Sequence, residues 1–204
     1  MRTIEMTVFN YDELPARVQQ KVLCDLSNIN VEHYEWYDSE FDYWHDKLEE
    51  FGFMQPKIYF SGFNSQGDGA CFDCDSIDIE RAWKFFRIDM ERQNNSLLPR
   101  LKAHEAWFYD YLINYSYFNL QCVNSHYSHE NTYRARGIVC ELRTGLLNKC
   151  YEEFEKWLED FRRGLCMEIY HNLADEYEHL TSDEAILETI KSNSYEFFED
   201  GKIA

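Results

Sequence analysis

The residues best placed to do chemistry crowd into one stretch, Ile58 to Cys74. It holds Gly62, Gly67 and Gly69, with Asp68 between the last two, and the chain's Cys-x-x-Cys, Cys71 with Cys74. Glycines allow left-handed backbone, and successive amides in such a loop can form a concavity for an anion. The loop matches neither G-x-x-x-x-G-K-[ST] nor G-x-G-x-x-G, and no Lys or Arg lies between Lys57 and Arg81, so a phosphate cradle is not expected. Two readings remain. One is a tight strand connection in which Asp68 and Asn64 bond backbone amides. The other is a binding loop centred on Gln66 and Asp68.

Cys71 and Cys74 have metal or redox spacing, and His126 with His129 adds an H-x-x-H. Zinc sites usually space their histidines more widely and draw on a second Cys-x-x-Cys, which this chain lacks, so no metal is expected. Residues 71 and 74 of a strand also face opposite sides. Asp73 and Asp75 raise thiol pKa values, which argues against a thioredoxin-like pair. No G-x-S-x-G and no H-E-x-x-H occurs. His104 with Glu105, and His171 with Glu168 and Asp175, fall on expected helices, where solvated or capping roles are usual. No catalytic residue and no cofactor is assigned; the reading is of a non-enzymatic protein, with an enzyme left open.

The elements that must hold this stretch are legible from periodicity. Thr3 to Phe9 alternates as a half-buried strand. Leu14, Val18, Val22 and Leu26 recur every four residues, giving a helix from about Asp12 to Asp25 with Pro15 in its first turn. Phe41, Trp44, Leu48 and Phe51 mark a helix from Ser39 to Phe51, closed by Gly52. Lys57–Phe60 and Ala70–Phe72 are β-rich, so the opening stretch reads as strand, loop, strand. A helix capped by Asp75 or Ser76 runs to Met90, Asn94 to Ser96 interrupts, and a further helix spans Leu97 to Asn114. Tyr115–Val123 and Tyr133–Leu142 pair as strands. Tyr151, Phe154, Trp157, Leu158, Phe161, Leu165, Ile169 and Leu173 form one stripe on a helix from Leu147 to Leu180, with Gly164 as a bend. Thr181 and Glu184 form a capping box for a last helix, Ser182 to Lys191. Ser194 to Phe198 is a closing strand, and Asp200-Gly201 a turn.

At 204 residues the chain suits one well-cored domain, 1–204. The expected class is α+β: a small, mostly antiparallel sheet covered by amphipathic helices, with a long C-terminal helix. No apolar run is long enough to span a membrane, and the N-terminus has no signal-peptide core. Seven cysteines, an odd number, read as reduced thiols in the cytoplasm.

Net charge is the strongest global signal, at −18. Residues 1–50 carry 12 acids and 4 bases, residues 51–150 carry 11 of each, and residues 151–200 carry 15 acids and 4 bases. Such ends repel nucleic acid and anionic membrane and attract basic proteins. Direct nucleic-acid binding and membrane binding are therefore not expected. The bland alternative is that acidity confers solubility. Tyr34, Tyr37, Tyr43, Tyr109, Tyr111, Tyr115 and Tyr117 sit among acids, either as an interface for Arg-rich surfaces or as half-buried core borders.

Three segments carry a resemblance: Phe9 to Leu14; Ser61-Gly62-Phe63-Asn64-Ser65-Gln66-Gly67-Asp68-Gly69-Ala70-Cys71-Phe72; and Leu180 to Ile190 continuing through Tyr195 to Gly201. Together they resemble a family of bacteriophage and mobile-element proteins, some described as antitoxin components. The resemblance implies a setting, inhibition of host machinery, and lends no catalytic residues.

The reading that follows is a non-enzymatic, acidic, phage-type inhibitor of a basic, nucleic-acid-handling host protein, such as a CRISPR effector, restriction enzyme or toxin, through partial DNA mimicry. Its expected binding residues are Glu152, Glu153, Glu159, Asp160, Asp175 and Glu176. The alternative is a ligand- or nucleotide-signal-binding protein or enzyme centred on Gln66 to Gly69, with Gln66 and Asp68 as its residues. A homodimer is left open.

Overall fold

A computed structural model of the chain describes residues 6–93, 95, 98–124, 126–139 and 145–204. The first half contains β1 (Phe9–Asn10), α1 (Ala16–Asp25), α2 (Asp38–Glu50), β2 (Phe53–Met54), β3 (Lys57–Ser61), β4 (Gly69–Asp73), β5 (Ser76–Ile77) and α3 (Ile79–Arg92). The second contains α4 (Leu98–Ala103), α5 (Glu105–Tyr115), β6 (Ser116–Cys122), β7 (Tyr133–Val139), α6 (Gly145–Leu180), α7 (Asp183–Ser192) and β8 (Glu196–Phe197). The class is α+β. The strands form four separate antiparallel pairs, β1 with β8, β2 with β5, β3 with β4 and β6 with β7, rather than one sheet.

The chain folds as two compact units. One comprises Met1–Ser39 with Leu173–Ala204, the other Glu40–Asn172. In the first, Phe9 pairs with Phe197, and Tyr11, Leu14, Val22, Leu23, Ile186, Ile190 and Phe197 form a buried cluster between α1 and α7. Asn30 ties its loop to the end of α6 and to α7: its amide donates to the Leu180 carbonyl at 2.9 Å, and its oxygen accepts from the Thr189 hydroxyl at 2.7 Å.

Three expectations for this unit need correction. Residues 6–8 lie outside any strand, with Met6 and Val8 exposed, and the strand begins at Phe9; residues 3–5 lie outside the described residues. The first helix starts at Ala16, not Asp12, because a proline forces the preceding residue to be extended. Leu14 is so, with ψ 149°, and Tyr11–Glu13 forms only a 3-10 turn, closed by Asn10 and Glu13. The last helix is capped by Ser182, whose hydroxyl accepts from the Ala185 amide at 3.2 Å, whereas the Thr181 hydroxyl donates back to the Tyr177 carbonyl.

The second unit is built on aromatic packing. Phe154 of α6 meets Phe86 of α3 and Phe118 of β6, each edge to face at 5.2 Å, and Trp83, Phe108 and Trp157 close around them. Gly52 ends α2 at φ +101°. A Cβ there would lie 2.6 Å from the Asp78 carbonyl, so this turn needs glycine both for its backbone angle and for the close approach. Asp78, not Asp75 or Ser76, then caps α3, accepting from the Arg81 amide at 3.1 Å.

The helix expected over 97–114 is two, α4 and α5, separated at His104. Leu101, Phe108 and Leu112 keep their spacing across that break, so periodicity does not register it. The strands expected at 115–123 and 133–142 are β6 and β7, with residues 140–142 outside the described residues. Helix α6 runs unbroken through Gly164, the expected bend, where the position is exposed and a Cβ would meet nothing.

Ser182→Ala is expected to cost about 0.5–2 kcal/mol, and Thr181→Ala less, read as shifts in urea midpoint. The reverse order would restore Thr181 as the cap.

Candidate functional site

Helix α6 carries the acids of one groove and the side chains that hold the β6–β7 hairpin. Its inward face carries, besides apolar residues, a line of charge: Glu155, Glu159 and Arg162, spaced four and three apart, so all point the same way. Strand β7 presents its outer-edge amides to that line. The Ala135 N–H donates to Glu159 Oε2 at 2.8 Å, and the Gly137 N–H to Glu155 Oε1 at 2.9 Å. Amides on one edge of a strand recur every two residues, about 6.8 Å, and carboxylates four residues apart on a helix are about 6 Å apart, so the two ladders match.

Arg162 is fully buried. Its Nη2 donates to Glu159 Oε1 at 2.8 Å and to the Glu130 carbonyl at 2.7 Å, its Nε to Glu159 Oε2 at 3.1 Å, and its Nη1 to Cys166 Sγ at 3.5 Å. The fork-on-carboxylate geometry suits arginine and not lysine. The pair thus joins α6 to β7 and to the loop before it. Gly137 is required for the same contact: any Cβ there would collide with the Tyr151 hydroxyl.

That loop seats residues 127–129 against the glycine stretch. A Cβ on Gly67, at φ +96°, would lie 3.1 Å from the Tyr127 ring, and one on Gly69 would lie 2.6 Å from the His129 Cβ. Asp68 turns inward on its own loop, accepting from the Asn64 and Ser65 amides at 2.9 and 2.6 Å. The glycines are therefore a seat for a neighbouring hairpin loop, and Asp68 is the brace that shapes it. Gln66 is exposed. Beside the loop is a cavity of about 240 Å³ whose lining includes Asp68, Glu130, Tyr170 and His171. Asp68 also helps burial hold the Tyr170 hydroxyl above its usual pKa, burial being the larger cause.

Cys71 and Cys74 are buried free thiols. Burial pushes Cys71 up to about 11, and burial with Asp73 and Asp75 pushes Cys74 up to about 12. Both are protonated at neutral pH and poor nucleophiles. Among the described residues no group of His, Cys, Asp and Glu is arranged to hold a metal.

Of the acids expected to bind, Glu153 and Asp160 share a groove of about 380 Å³ between α3 and α6. Asp89 and Glu168 join them there, with Lys156, Trp157 and Phe161. Asp89 accepts from the Trp157 indole at 3.1 Å, which fixes the ring on the wall. Glu152 is exposed on the same helix, and Glu159 faces inward to Arg162. Asp175, exposed, and Glu176, half-buried, belong to the first unit. Among the tyrosines, Tyr43, Tyr115 and Tyr117 are exposed, Tyr37 and Tyr109 are half-buried and Tyr111 is buried; the Tyr34 side chain lies outside the described residues.

The residues that sequence reasoning passed over are Arg162, Glu155 and Asp89, while Glu168 was considered only as a solvated neighbour of His171. Arg162 did carry a signal: it stands four residues after Leu158 and three before Leu165, on the apolar stripe itself.

The fold is thus an α+β protein organised on one long helix that is charged on its inner and outer faces. The chain belongs to a family described as a domain of unknown function (DUF8835), which matches residues 36–183. That span includes the glycine stretch, the β6–β7 hairpin and all of α6. No curated protein and no solved structure matches the chain.

Arg162→Ala leaves Glu159 partly buried without its cation and is expected to cost about 3–5 kcal/mol. Glu152→Lys, on the exposed face, should change stability by no more than about 0.5 kcal/mol. Equal denaturation midpoints for the two variants would contradict the placement of Arg162.

Proposed function

We propose that the chain is a non-enzymatic, acidic inhibitor of phage type that binds a basic, nucleic-acid-handling protein, meeting that partner's nucleic-acid surface with charge of the same sign as DNA. The observation that carries this reading is the groove between α3 and α6. Glu153, Asp160 and Glu168 line it without an ion pair among the described residues, around a fixed Trp157. Free carboxylates grouped in one groove suit lysine- and arginine-rich protein surfaces by charge. The −18 net charge adds long-range attraction for the same partner and repulsion of competing nucleic acid. The setting is the cytoplasm of the host cell.

A second reading, a ligand-binding protein centred on Gln66 to Gly69, rests on the cavity of about 240 Å³ beside Asp68. It is weaker, because the carboxylate of Asp68 already holds two loop amides.

Capture of a host protein from bacterial lysate on the immobilised chain separates the two. Salt raised from about 0.1 to about 1 M shortens the screening length from about 10 to about 3 Å. It should release a nucleic-acid-handling protein, and the reversals Glu153→Lys and Asp160→Lys should weaken its capture about tenfold or more. Capture indifferent to both, or lost only in Gln66→Ala, would overturn the first reading.

A further inference from the structure

Against the acid-rich background, one cavity has the opposite character. It lies between α3 and the α4–α5 turn, has a volume of about 720 Å³, and is lined by Lys84, Arg87, Lys102 and His104 together with Trp83, Trp107 and Tyr109. Two acids, Glu80 and Glu105, also line it. The basic side chains come from both walls, Lys84 and Arg87 from α3, Lys102 from α4 and His104 from the break between the two short helices.

The cations are available. Lys84 has no ion pair or hydrogen bond among the described residues. Arg87 meets Glu105 at 2.9 Å and Lys102 meets Glu91 at 2.9 Å, but both pairs are solvent-exposed, and exposed pairs of this kind are weak and readily exchanged. The aromatic groups are graded from rigid to free. Trp83 is buried, packed on Phe86 and Phe108, and forms a fixed floor with Tyr109, whose ring lies 6.0 Å away. Trp107 is 50% exposed, meets His104 edge-on at 6.4 Å, and lines the cavity.

Trp107 is thus a half-exposed indole beside one unpaired cation, Lys84, and two cations held only in surface pairs. Its geometry fits a flat ring stacked on Trp107 with an anionic group against Lys84, Arg87 and Lys102. The volume falls within the usual range of small-molecule sites, about 300–1,000 Å³. A polymer of phosphates would meet the field of the whole acidic chain, whereas a single mononucleotide carries too little charge to be excluded.

We propose that this cavity binds a free aromatic phosphate of mononucleotide size, with Trp107 stacking on its ring and Lys84, Arg87 and Lys102 holding its phosphate. The proposal is independent of the acidic groove and uses none of its residues.

The test is titration of the full chain with each of the four common ribonucleoside 5′-monophosphates, followed by tryptophan fluorescence. Saturable quenching is expected with at least one of them, absent in Trp107→Ala and weakened about tenfold or more in Lys84→Glu, a change worth about 1.4 kcal/mol. Both side chains are exposed, so each variant should keep the wild-type melting temperature. The matching nucleoside and inorganic phosphate should each bind at least about tenfold more weakly than the nucleotide. A ten-nucleotide single strand should not compete at about 0.01 M salt, where a screening length of about 30 Å leaves the field of the whole acidic chain in force. No saturable quenching by any of the four, or quenching unchanged in Lys84→Glu, would overturn the site. Strong competition by the oligonucleotide would overturn its assignment to a free ligand.

Discussion

The second unit depends on one buried ion pair. Arg162 lies with no exposure on the inner face of α6, and its guanidinium holds Glu159 in two hydrogen bonds and the Glu130 carbonyl in a third. Burying a charged pair costs several kcal/mol per ion unless every donor and acceptor is met. Here the remaining lone pairs of Glu159 take the Ala135 amide, and Glu155 one turn back takes that of Gly137. A two-stranded hairpin alone is marginal in water. The carboxylate ladder closes the open edge of β7, and the same arginine pins the loop that follows β6, so that Tyr127 and His129 reach Gly67 and Gly69. Remove the pair, and the hairpin, its loop and the glycine seat lose their common support.

This arrangement divides the acids of α6 by role. Glu155 and Glu159 are internal structural ligands of backbone amides, while Glu152, Glu153, Asp160 and Glu168 face out. Counting charge along the sequence cannot separate these sets, because both occur within the same few turns. The helix period separates them in part. Residues 155, 159 and 162 share a face with Leu158, Leu165 and Ile169, and 153 and 160 fall on the far side. Glu152, however, shares the direction of Glu159, and Glu168 falls between Trp157 and Phe161, yet both are exposed. The same logic changes the meaning of the glycine stretch: its glycines serve close packing, and its aspartate shapes the loop.

Much of the fold was legible. Periodicity located α2, α3, α6 and α7 and the β3–β4 and β6–β7 hairpins, because each has a clear apolar face or a β-rich run bounded by turn residues. What was not legible depended on contacts distant in sequence. The separate strand pairs, the Phe9–Phe197 bridge and the Arg162 network join segments whose proximity no local pattern encodes. Local chemistry misled in two places. Thr181 and Glu184 fit a capping box, yet the Ser182 hydroxyl reaches the free amide. Asp12 looked like a helix start, yet Pro15 sets Leu14 extended and delays the helix. Of the candidate site, Glu153 and Asp160 were legible as acids of the charged C-terminal run, but their grouping with Asp89 and Trp157 required α3 and α6 to be packed together.

The most direct measurement of the central claim is amide hydrogen exchange at Ala135 and Gly137 in the native chain and in Glu155→Ala. Both amides point away from β6, so without the α6 carboxylates they would be open to solvent. The account expects both to be protected in the native chain, and Gly137 to lose protection in Glu155→Ala while Ala135 keeps it. Exchange of both amides at unprotected rates in the native chain, or protection of Gly137 unchanged by the substitution, would contradict it.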